Sequence, residues 1–359
     1  MILLSTLIAT FGGPLRQKFG NRLLPGHHRA LHAMEKCRTE KSPVMIVHCP
    51  DCGSQETIPH SCGHRNCPHC QHHEGQQWLE RQRGKLLPVD YFMVTFTLPY
   101  QLRQLVWQHQ RIGYDLLLKL GWQTLMQFGL NDPQLKGRIG AHAVLHTHSR
   151  KLDFHPHVHF IVPAGALDSK HRLWRRKKGK FLFHHESLAN VFRAKWFEAM
   201  KQEEFKVGAT IPNKWVVDCK HVGRGDKALT YLGKYLYRGV LQEKDILHCK
   251  NGKVTFRYTD NSGAIKTRTL PGADFLWLLL RHVLPKGFRR ARDYGFLHSN
   301  CKAMIQLLQV LFQLWICPPQ KHSKKPPIPC KKCGGIMEII ATRIIPVLTV
   351  QPMTQTEPI

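Results

Sequence analysis

The stretch His155-Pro156-His157-Val158-His159-Phe160-Ile161-Val162-Pro163 places two histidines one residue apart in a run that ends in apolar residues. Such a run is typical of a β-strand, in which side chains alternate between the two faces, so His157 and His159 point the same way. Imidazole is a common ligand of divalent metal ions, and this pair could hold one. Because the chain has 24 histidines, two solvated strand histidines are the alternative.

A second strand is expected just before this stretch, over residues 141–147. The polar connection at residues 149–153 should return it to the histidine strand as a hairpin. This arrangement offers His146 or His148 as a third metal ligand. We favour His146 because it lies deeper in the hairpin.

The charge balance points to the kind of partner. The 359 residues include 53 Lys+Arg and 24 Asp+Glu, for a formal net charge of +29. A nucleic-acid backbone neutralises such a charge, and each phosphate contact also releases counterions. An anionic membrane surface is the alternative, but it would need a basic amphipathic helix or an anchor, and we find neither. Nucleic acid is therefore the expected partner.

The amino-terminal residues and the cysteines bear on the compartment. No apolar run reaches the ~18 to 20 residues of a spanning helix, so no membrane association is expected. Residues 1–10 are apolar but lack the flanking charge and cleavage site of a signal peptide, and we interpret them as the start of a packed helix in a cytoplasmic protein. In that reducing compartment the twelve cysteines favour metal ligation over disulfides.

Two C-x2-C pairs follow, and their spacing is typical of a structural zinc site. We expect Cys49, Cys52, Cys67 and Cys70 to bind one Zn²⁺ and to present Arg65 to DNA. Side chains that could replace a member, or help to hold a second ion, are Cys37, His60, Cys62 and His64.

Cys330-Lys331-Lys332-Cys333 near the end of the chain is half of a further zinc knuckle. Residues 318–329 before it are rich in Pro and Lys and are interpreted as a linker. The missing ligands of this second site would have to come from Cys301, Cys317 or His322.

Residues 226–238 predict a helix in which Tyr231 and Tyr235, four residues apart, share one face. Lys234 and Arg238 lie on adjoining rows. The alternative is an amphipathic helix that buries its aromatic residues. Tyrosine hydroxyls and cations close to a strand with two histidines favour the catalytic interpretation.

Basic residues also concentrate at 164–187, where Trp174 and Phe181 are interleaved, and at 288–292. A basic run is usually a solvated face, but cations mixed with aromatic rings can grip a single strand by phosphate contacts and base stacking. The candidate DNA-binding residues are Arg65, Arg175, Arg176, Lys177, Lys178, Arg238, Arg289, Arg290 and Arg292.

The order of these motifs resembles the rolling-circle insertion-sequence transposases. These are the two-tyrosine members of the His-hydrophobe-His (HUH) endonuclease superfamily, typified by insertion sequence 91. The motifs that carry the resemblance are the zinc knuckles, His155 to Pro163, Tyr231-Leu232-Gly233-Lys234-Tyr235-Leu236-Tyr237-Arg238 and the segment from Leu284 to His298. The resemblance implies an α+β fold with an antiparallel-sheet HUH endonuclease core, flanking helices and a preceding amino-terminal zinc-knuckle module.

The same resemblance implies a reaction. His157 and His159 would bind Mg²⁺ or Mn²⁺, with His146 as the expected third ligand, and Tyr231 and Tyr235 would be nucleophiles assisted by the cation of Lys234. The implied enzyme cleaves and rejoins single-stranded DNA at element ends and in target DNA through a 5′-phosphotyrosine, in association with the bacterial nucleoid. Alternatives are a plasmid or phage replication initiator or relaxase, and a non-catalytic zinc-dependent DNA-binding regulator.

Four segments follow from these patterns. Residues 1–85 form amino-terminal helices and the zinc-binding module, and residues 86–245 form the catalytic domain. Residues 246–316 complete the transposase domain with a β-meander and helices. Residues 317–359 hold the linker, the half zinc knuckle of Cys330 and Cys333, and a tail. Besides the set of four, the candidate zinc ligands are Cys62, Cys330 and Cys333.

Overall fold

The computed structural model describes residues 2–70, 72–168, 170–206, 208, 210–236, 240–260, 262–314 and 327–344. Its helices are α1 (Leu4–Phe19), α2 (Pro25–Lys36), α3 (His72–Arg83), α4 (Tyr100–Gln108), α5 (Gln110–Asn131), α6 (His185–Gln202), α7 (Asp226–Leu236), α8 (Gly272–Leu280) and α9 (Lys302–Leu311). Its strands are β1 (Val44–His48), β2 (Gln55–Pro59), β3 (Tyr91–Thr97), β4 (Gly140–His148), β5 (Phe154–Pro163), β6 (Gly165–Asp168), β7 (Leu173–Arg176), β8 (Val216–His221), β9 (Ile246–Lys250), β10 (Lys253–Thr259), β11 (Ile265–Pro271), β12 (Ala291–Gly295), β13 (Ile328–Pro329) and β14 (Ile336–Ile344).

A five-stranded sheet in the order β12-β4-β5-β3-β8 forms the centre of the fold. Every neighbouring pair in it is antiparallel. The expected hairpin is present, since β4 pairs with β5 and His146 lies opposite His157. The sequence prediction of an α+β chain with an antiparallel core sheet is therefore confirmed.

Both faces of this sheet are covered, which explains why β4 and β5 are buried along nearly their whole length. On one face Val158 and Phe160 pack with residues of α5 and α6, including Phe192. On the other face Ile161 packs with Leu232 of α7. Because side chains alternate along a strand, His157 and His159 lie on the α7 side with Ile161.

The amino-terminal helix α1 packs against α8. Its buried side chains include Leu7, Phe11 and Phe19, and the ring of Phe19 stacks on Trp277 of α8 with centroids 5.0 Å apart. The expectation that the first residues form a packed helix is confirmed. None of the described helices is both long and apolar enough to cross a membrane.

Two smaller sheets lie outside the central one. The expected meander is the sheet β11-β10-β9. The other sheet has the order β13-β14-β1-β2, so strands from the two ends of the chain pair directly. Residues 327–344, which the sequence assigns to a terminal segment, thus share a sheet with residues 44–59.

Candidate active site and metal centres

Three histidines converge on the α7 side of the central sheet. His146 extends from β4, and His157 and His159 extend from β5. Their candidate ligand nitrogens all lie within 4.8 Å of one another. The His146 ring is 4.6 Å from that of His159 and 5.3 Å from that of His157, between centroids.

His148, the other third-ligand candidate from the sequence, lies to one side of this group. Its ring centroid is 6.1 Å from that of His146 and 5.3 Å from that of His282. Neither His148 nor His282 belongs to the set of mutually close ligand atoms. The geometry thus gathers the favoured residue, His146, with the pair.

Hydrogen bonds fix the orientation of two of these rings. Nδ1 of His157 lies 2.7 Å from the backbone oxygen of His155, and Nδ1 of His159 lies 2.8 Å from Oγ1 of Thr95. Such partners on one ring nitrogen are what orient the other nitrogen toward a metal. Nε2 of His159 is buried and has no hydrogen-bond partner among the described residues. The three histidines therefore fit a divalent ion.

Burial also sets the protonation state that ligation requires. It lowers the pKa of His157 to about 4 and holds the pKa values of His146 and His159 well below the ordinary value. The charges of neighbouring groups, including Arg290 beside His146, act in the same direction. At neutral pH the imidazoles are uncharged, and an uncharged imidazole is the metal-binding form.

Helix α7 places Tyr231 beside this group. Leu229 and Leu232 form its buried face, whereas Tyr231 is 40% exposed. The ring of Tyr231 meets that of His159 edge to face, with centroids 6.4 Å apart. The alternative of a helix that buries its aromatic residues does not describe Tyr231, because leucines occupy that face.

The other helix residues named from the sequence are less completely described. Lys234 and Tyr235 lie on α7, but their side chains are outside the described part of the structure. Arg238 and Tyr237 lie outside the described residues.

Cys37, Cys62, Cys67 and Cys70 form one group of thiols. Cys37 lies 3.6 Å from Cys67 and 3.6 Å from Cys70, between sulfurs, and Cys62 is also 3.6 Å from Cys70. A tetrahedral ZnS₄ site with Zn–S bonds of ~2.3 Å has sulfurs ~3.8 Å apart. The group therefore fits one Zn²⁺.

The expected set of Cys49, Cys52, Cys67 and Cys70 is corrected by this arrangement. Cys49 and Cys52 lie in the β1–β2 turn and group with Cys330 and Cys333 instead. The β-hairpin carries the first C-x2-C pair away from the second, and Cys37, which directly follows α2, takes its place. His60 and His64 belong to neither group.

The expected partners of Cys330 and Cys333 are corrected as well. Cys301 does not join them, and Cys317 and His322 lie outside the described residues. Cys330 and Cys333 instead group with Cys49 and Cys52, which lie about 280 positions earlier in the chain. Ligands this far apart leave no spacing pattern in the sequence.

Comparisons with known proteins agree with this organisation. Residues 140–304 match the family model described as "Putative transposase", and residues 7–98 match that described as "Transposase zinc-binding domain". The chain is 31% identical over 302 residues to the "Putative transposase y4qJ" of Sinorhizobium fredii, covering 77% of this chain and 76% of that protein. The chain belongs to the IS91-type transposase family.

A second relative is the transposase for insertion sequence element IS801 of Pseudomonas savastanoi. It is 27% identical over 343 residues, covering 84% of this chain and 79% of the relative. No solved structure matches this chain. Because the chain is a transposase, DNA is its substrate class. The match to the zinc-binding domain family supports Zn²⁺ as the ion of its cysteine clusters.

Several of the transposase cations proposed from the sequence are neutralised within the protein. Arg175 pairs with Asp168 at 2.7 Å. The ammonium of Lys177 contacts Asp132, and the guanidinium of Arg292 contacts Asp115. These three cations already have anionic partners within the protein and are therefore less available to a phosphate backbone.

The remaining candidates differ in exposure. Arg65 is exposed and donates to the backbone oxygen of Phe288 at 2.8 Å, so it holds the zinc module against the 282–288 loop. Arg290 is half-buried, and burial of its guanidinium lowers its pKa to about 10. The side chains of Arg176, Lys178 and Arg289 are exposed.

A basic cleft that sequence reasoning missed lies between α2, the α4–α5 junction and the 283–286 loop. It has a volume of about 810 Å³, and its cations include Arg22, Arg29, Arg111 and Lys286. Trp107 contributes an aromatic surface, and none of the described residues that line it is acidic. An adjoining cleft of about 350 Å³ extends to the zinc loop at residues 63–66. Four separate segments build the surface, so no local pattern reveals it.

Proposed function

We propose that this transposase cleaves and rejoins single-stranded DNA through a covalent 5′-phosphotyrosine intermediate with the help of a divalent metal ion. The observation that carries the proposal is the position of Tyr231, whose ring lies 6.4 Å from that of His159 in the three-histidine group. A nucleophile and a phosphate-polarising site must lie this close together for an in-line displacement.

His146, His157 and His159 are the residues that would hold Mg²⁺ or Mn²⁺. When bound there, such an ion supplies positive charge that polarises a scissile phosphate and helps to place it for attack. The protein's own part is to keep the three imidazoles neutral by burial and to orient two of them through Thr95 and the His155 carbonyl.

Tyr231 supplies the nucleophile in this scheme. Its phenolic oxygen forms a bond to phosphorus as the bond from phosphorus to the 3′ oxygen breaks. The phenolic proton leaves to solvent, and the departing oxygen takes up a proton to become a free 3′ hydroxyl. A 3′ hydroxyl attacking the phosphotyrosine reverses these steps, so strands are rejoined without ATP.

We propose that Tyr235, on the same helix, is the second nucleophile. Residues four apart on a helix are neighbours on one face. One tyrosine can then hold a strand end while the other cuts a second strand, as strand transfer requires. Lys234 is proposed to assist from the adjoining row.

The basic cleft is the proposed path of the single strand. Its four cations can contact successive phosphates, and Trp107 offers a stacking surface. Its extension to residues 63–66 brings the strand to the zinc module. Two contacts connect this module to the central sheet. The Asn66 side chain donates to the backbone oxygen of His282 at 3.3 Å, and the His282 ring lies beside that of His148 on β4, the strand that also carries His146.

The test is an adduct assay with end-labelled single-stranded oligonucleotides that carry the element ends. With Mn²⁺, the wild-type protein should retain the 3′ label on a denaturing gel and release a 5′-labelled fragment that a polymerase can extend. Tyr231→Phe combined with Tyr235→Phe should abolish the adduct. Tyr100→Phe, at a side chain that is 76% exposed on α4, is the matched control and should leave it intact.

Two results would contradict the proposal. DNA binding without any adduct would favour the non-catalytic regulator. Retention of the 5′ label instead of the 3′ label would reverse the polarity of the linkage.

A further inference from the structure

We infer that Cys49, Cys52, Cys330 and Cys333 bind a second structural Zn²⁺, which fastens the carboxy-terminal hairpin at residues 327–344 to the amino-terminal zinc module. We call this site the terminal clip. The matched zinc-binding region ends at residue 98, so it includes only half of the ligands.

The two halves of the terminal clip have the same backbone structure. The amide of Cys49 donates to the oxygen of Ser54, and that of Cys330 donates to the oxygen of Gly335, five residues on in both cases. Gly53 and Gly334 donate back to the oxygens of Cys49 and Cys330, at 2.9 Å in each turn. This repeated turn is what lets a C-x2-C pair present two thiolates to one ion.

Glycine is required at the same place in both turns. Gly53 has φ of +69° and Gly334 has φ of +79°, in the left-handed region that side chains with a Cβ avoid. The two turns also approach closely, since a Cβ at Gly335 would overlap the carboxylate of Asp51.

The sulfur separations fit a shared ion. Cys49 and Cys333 lie 3.5 Å apart, and Cys52 and Cys330 lie 3.7 Å apart, between sulfurs. These distances are close to the ~3.8 Å edge of a ZnS₄ tetrahedron and far from the ~2.05 Å of a disulfide. Each close pair joins a cysteine of one turn to a cysteine of the other, so an ion at the centre would bind the two chain ends together.

Contacts around the terminal clip align the two halves but form only a small core. β14 pairs with β1, Lys331 forms an ion pair with Glu56 at 2.7 Å, and His60 contacts Thr342 at 2.8 Å. Beside the cysteines, the buried apolar side chains of this described cluster are Val47 and Met337. A core this small contributes little to the free energy of folding. Zinc ligation must therefore supply most of the free energy that holds the two halves together.

The consequence is that residues 327–344 are a component of the amino-terminal module. The terminal clip is separate from the Cys37, Cys62, Cys67 and Cys70 site, since each group has four thiols of its own. The transposase should therefore contain two zinc ions per chain. The inference rests on thiol geometry and not on the proposed cleavage chemistry.

The test is the zinc content of the purified full-length protein, measured by mass spectrometry of the metal, in a parent variant with His157→Ala and His159→Ala so that the three-histidine site adds no zinc. This parent should contain two zinc ions per chain, and adding Cys330→Ser with Cys333→Ser should leave one. Cys49→Ser with Cys52→Ser should also contain one. Cys249→Ser with Cys301→Ser, which changes two cysteines outside both groups, is the matched control and should keep two.

Hydrogen exchange gives an independent measurement. In the Cys330 and Cys333 double variant, amides of residues 336–344 and 44–48 should lose protection, while those of the central sheet should not. One zinc ion per chain of the parent, or two after the Cys330 and Cys333 changes, would overturn the inference. Either result would leave the adduct assay unaffected, so the two proposals can fail separately.

Discussion

The hydroxyl of Thr95 lies 2.8 Å from Nδ1 of His159, across the pairing of β3 with β5. An Nδ1 proton donated to this hydroxyl leaves the lone pair on Nε2, where a metal can bind. Two adjacent strands thus cooperate in the site, since one carries the ligand and the other orients it.

Replacing Thr95 tests this role. Thr95→Val should weaken Mn²⁺ binding by roughly 10- to 100-fold, the usual effect of losing a group that orients a metal ligand. Isothermal titration with Mn²⁺ measures the change. Thr255→Val, which removes a hydroxyl bonded to Thr269 at 2.8 Å in the meander, is the control. Equal Mn²⁺ affinities for the two variants would show that Thr95 does not orient His159.

The third ligand can be identified by comparing two neighbouring histidines on β4. His146→Gln should abolish measurable Mn²⁺ binding, because it removes one of three converging nitrogens. His148→Gln should bind Mn²⁺ nearly as well as wild type, because its ring turns toward His282. Electron paramagnetic resonance of free Mn²⁺ reports the bound fraction. The opposite order of effects would assign the ligand to His148.

Gly121 permits the close packing of α5 on the sheet. A Cβ there would lie 2.7 Å from Cε2 of Phe160 and 3.3 Å from Cδ2 of Phe96. Gly121→Ala should lower the free energy of unfolding by about 1 to 3 kcal/mol through overpacking. Urea unfolding provides the measurement.

The control for this substitution is Gly12→Ala in α1, where a Cβ would lie in ordinary contact, 3.7 Å from Nη1 of Arg16. Helix propensity alone should make that variant as stable as wild type or up to about 1 kcal/mol more stable. Unchanged stability of Gly121→Ala would mean that α5 and β5 are less tightly packed than described.

If single-stranded DNA binds in the basic cleft, removing cations of the cleft should make the DNA affinity depend less steeply on salt. Arg29 and Lys286 are exposed and form no ion pair with the described residues. Replacing both with Ala should reduce the slope of log K against log salt for a single-stranded oligonucleotide by about 1.4, or about 0.7 per phosphate contact. Fluorescence anisotropy over a series of salt concentrations gives the slope.

Lys18→Ala is the matched control, because the Lys18 ammonium already pairs with Asp274 at 2.7 Å. Its slope should equal that of wild type. A slope unchanged in the Arg29 and Lys286 double variant would place the strand elsewhere.

The sequence predicted those parts of the site that depend on local periodicity. His157 and His159 share a face because strand side chains alternate, and His146 joins them because the connection to β4 is short. The exposure of Tyr231 was not predictable in the same way. It depends on Leu229 and Leu232 occupying the buried face of α7, and tyrosine or leucine could fill that face.

Long-range pairings were beyond sequence reasoning. The expected zinc set grouped the two nearest C-x2-C pairs, whereas the fold joins Cys49 to Cys333 across 284 positions. Whether a basic side chain is free to bind DNA was also not predictable from the sequence, because its ion-pair partner can lie far away in the chain. Arg292 is basic in sequence, but Asp115 lies beside it in the fold, 177 positions away.

Peptide mapping of the covalent adduct tests the central claim most directly. Trypsin cleaves after Lys227, Lys234 and Arg238, so Tyr231 falls in peptide 228–234 and Tyr235 falls in peptide 235–238. After reaction with single-stranded DNA and Mn²⁺ and digestion of the DNA, mass spectrometry should find a nucleotide remnant on Tyr231 or Tyr235. The remnant should be absent when His157 and His159 are both replaced by Ala. A DNA-bound protein with no remnant, or with one on any other residue, would contradict the account.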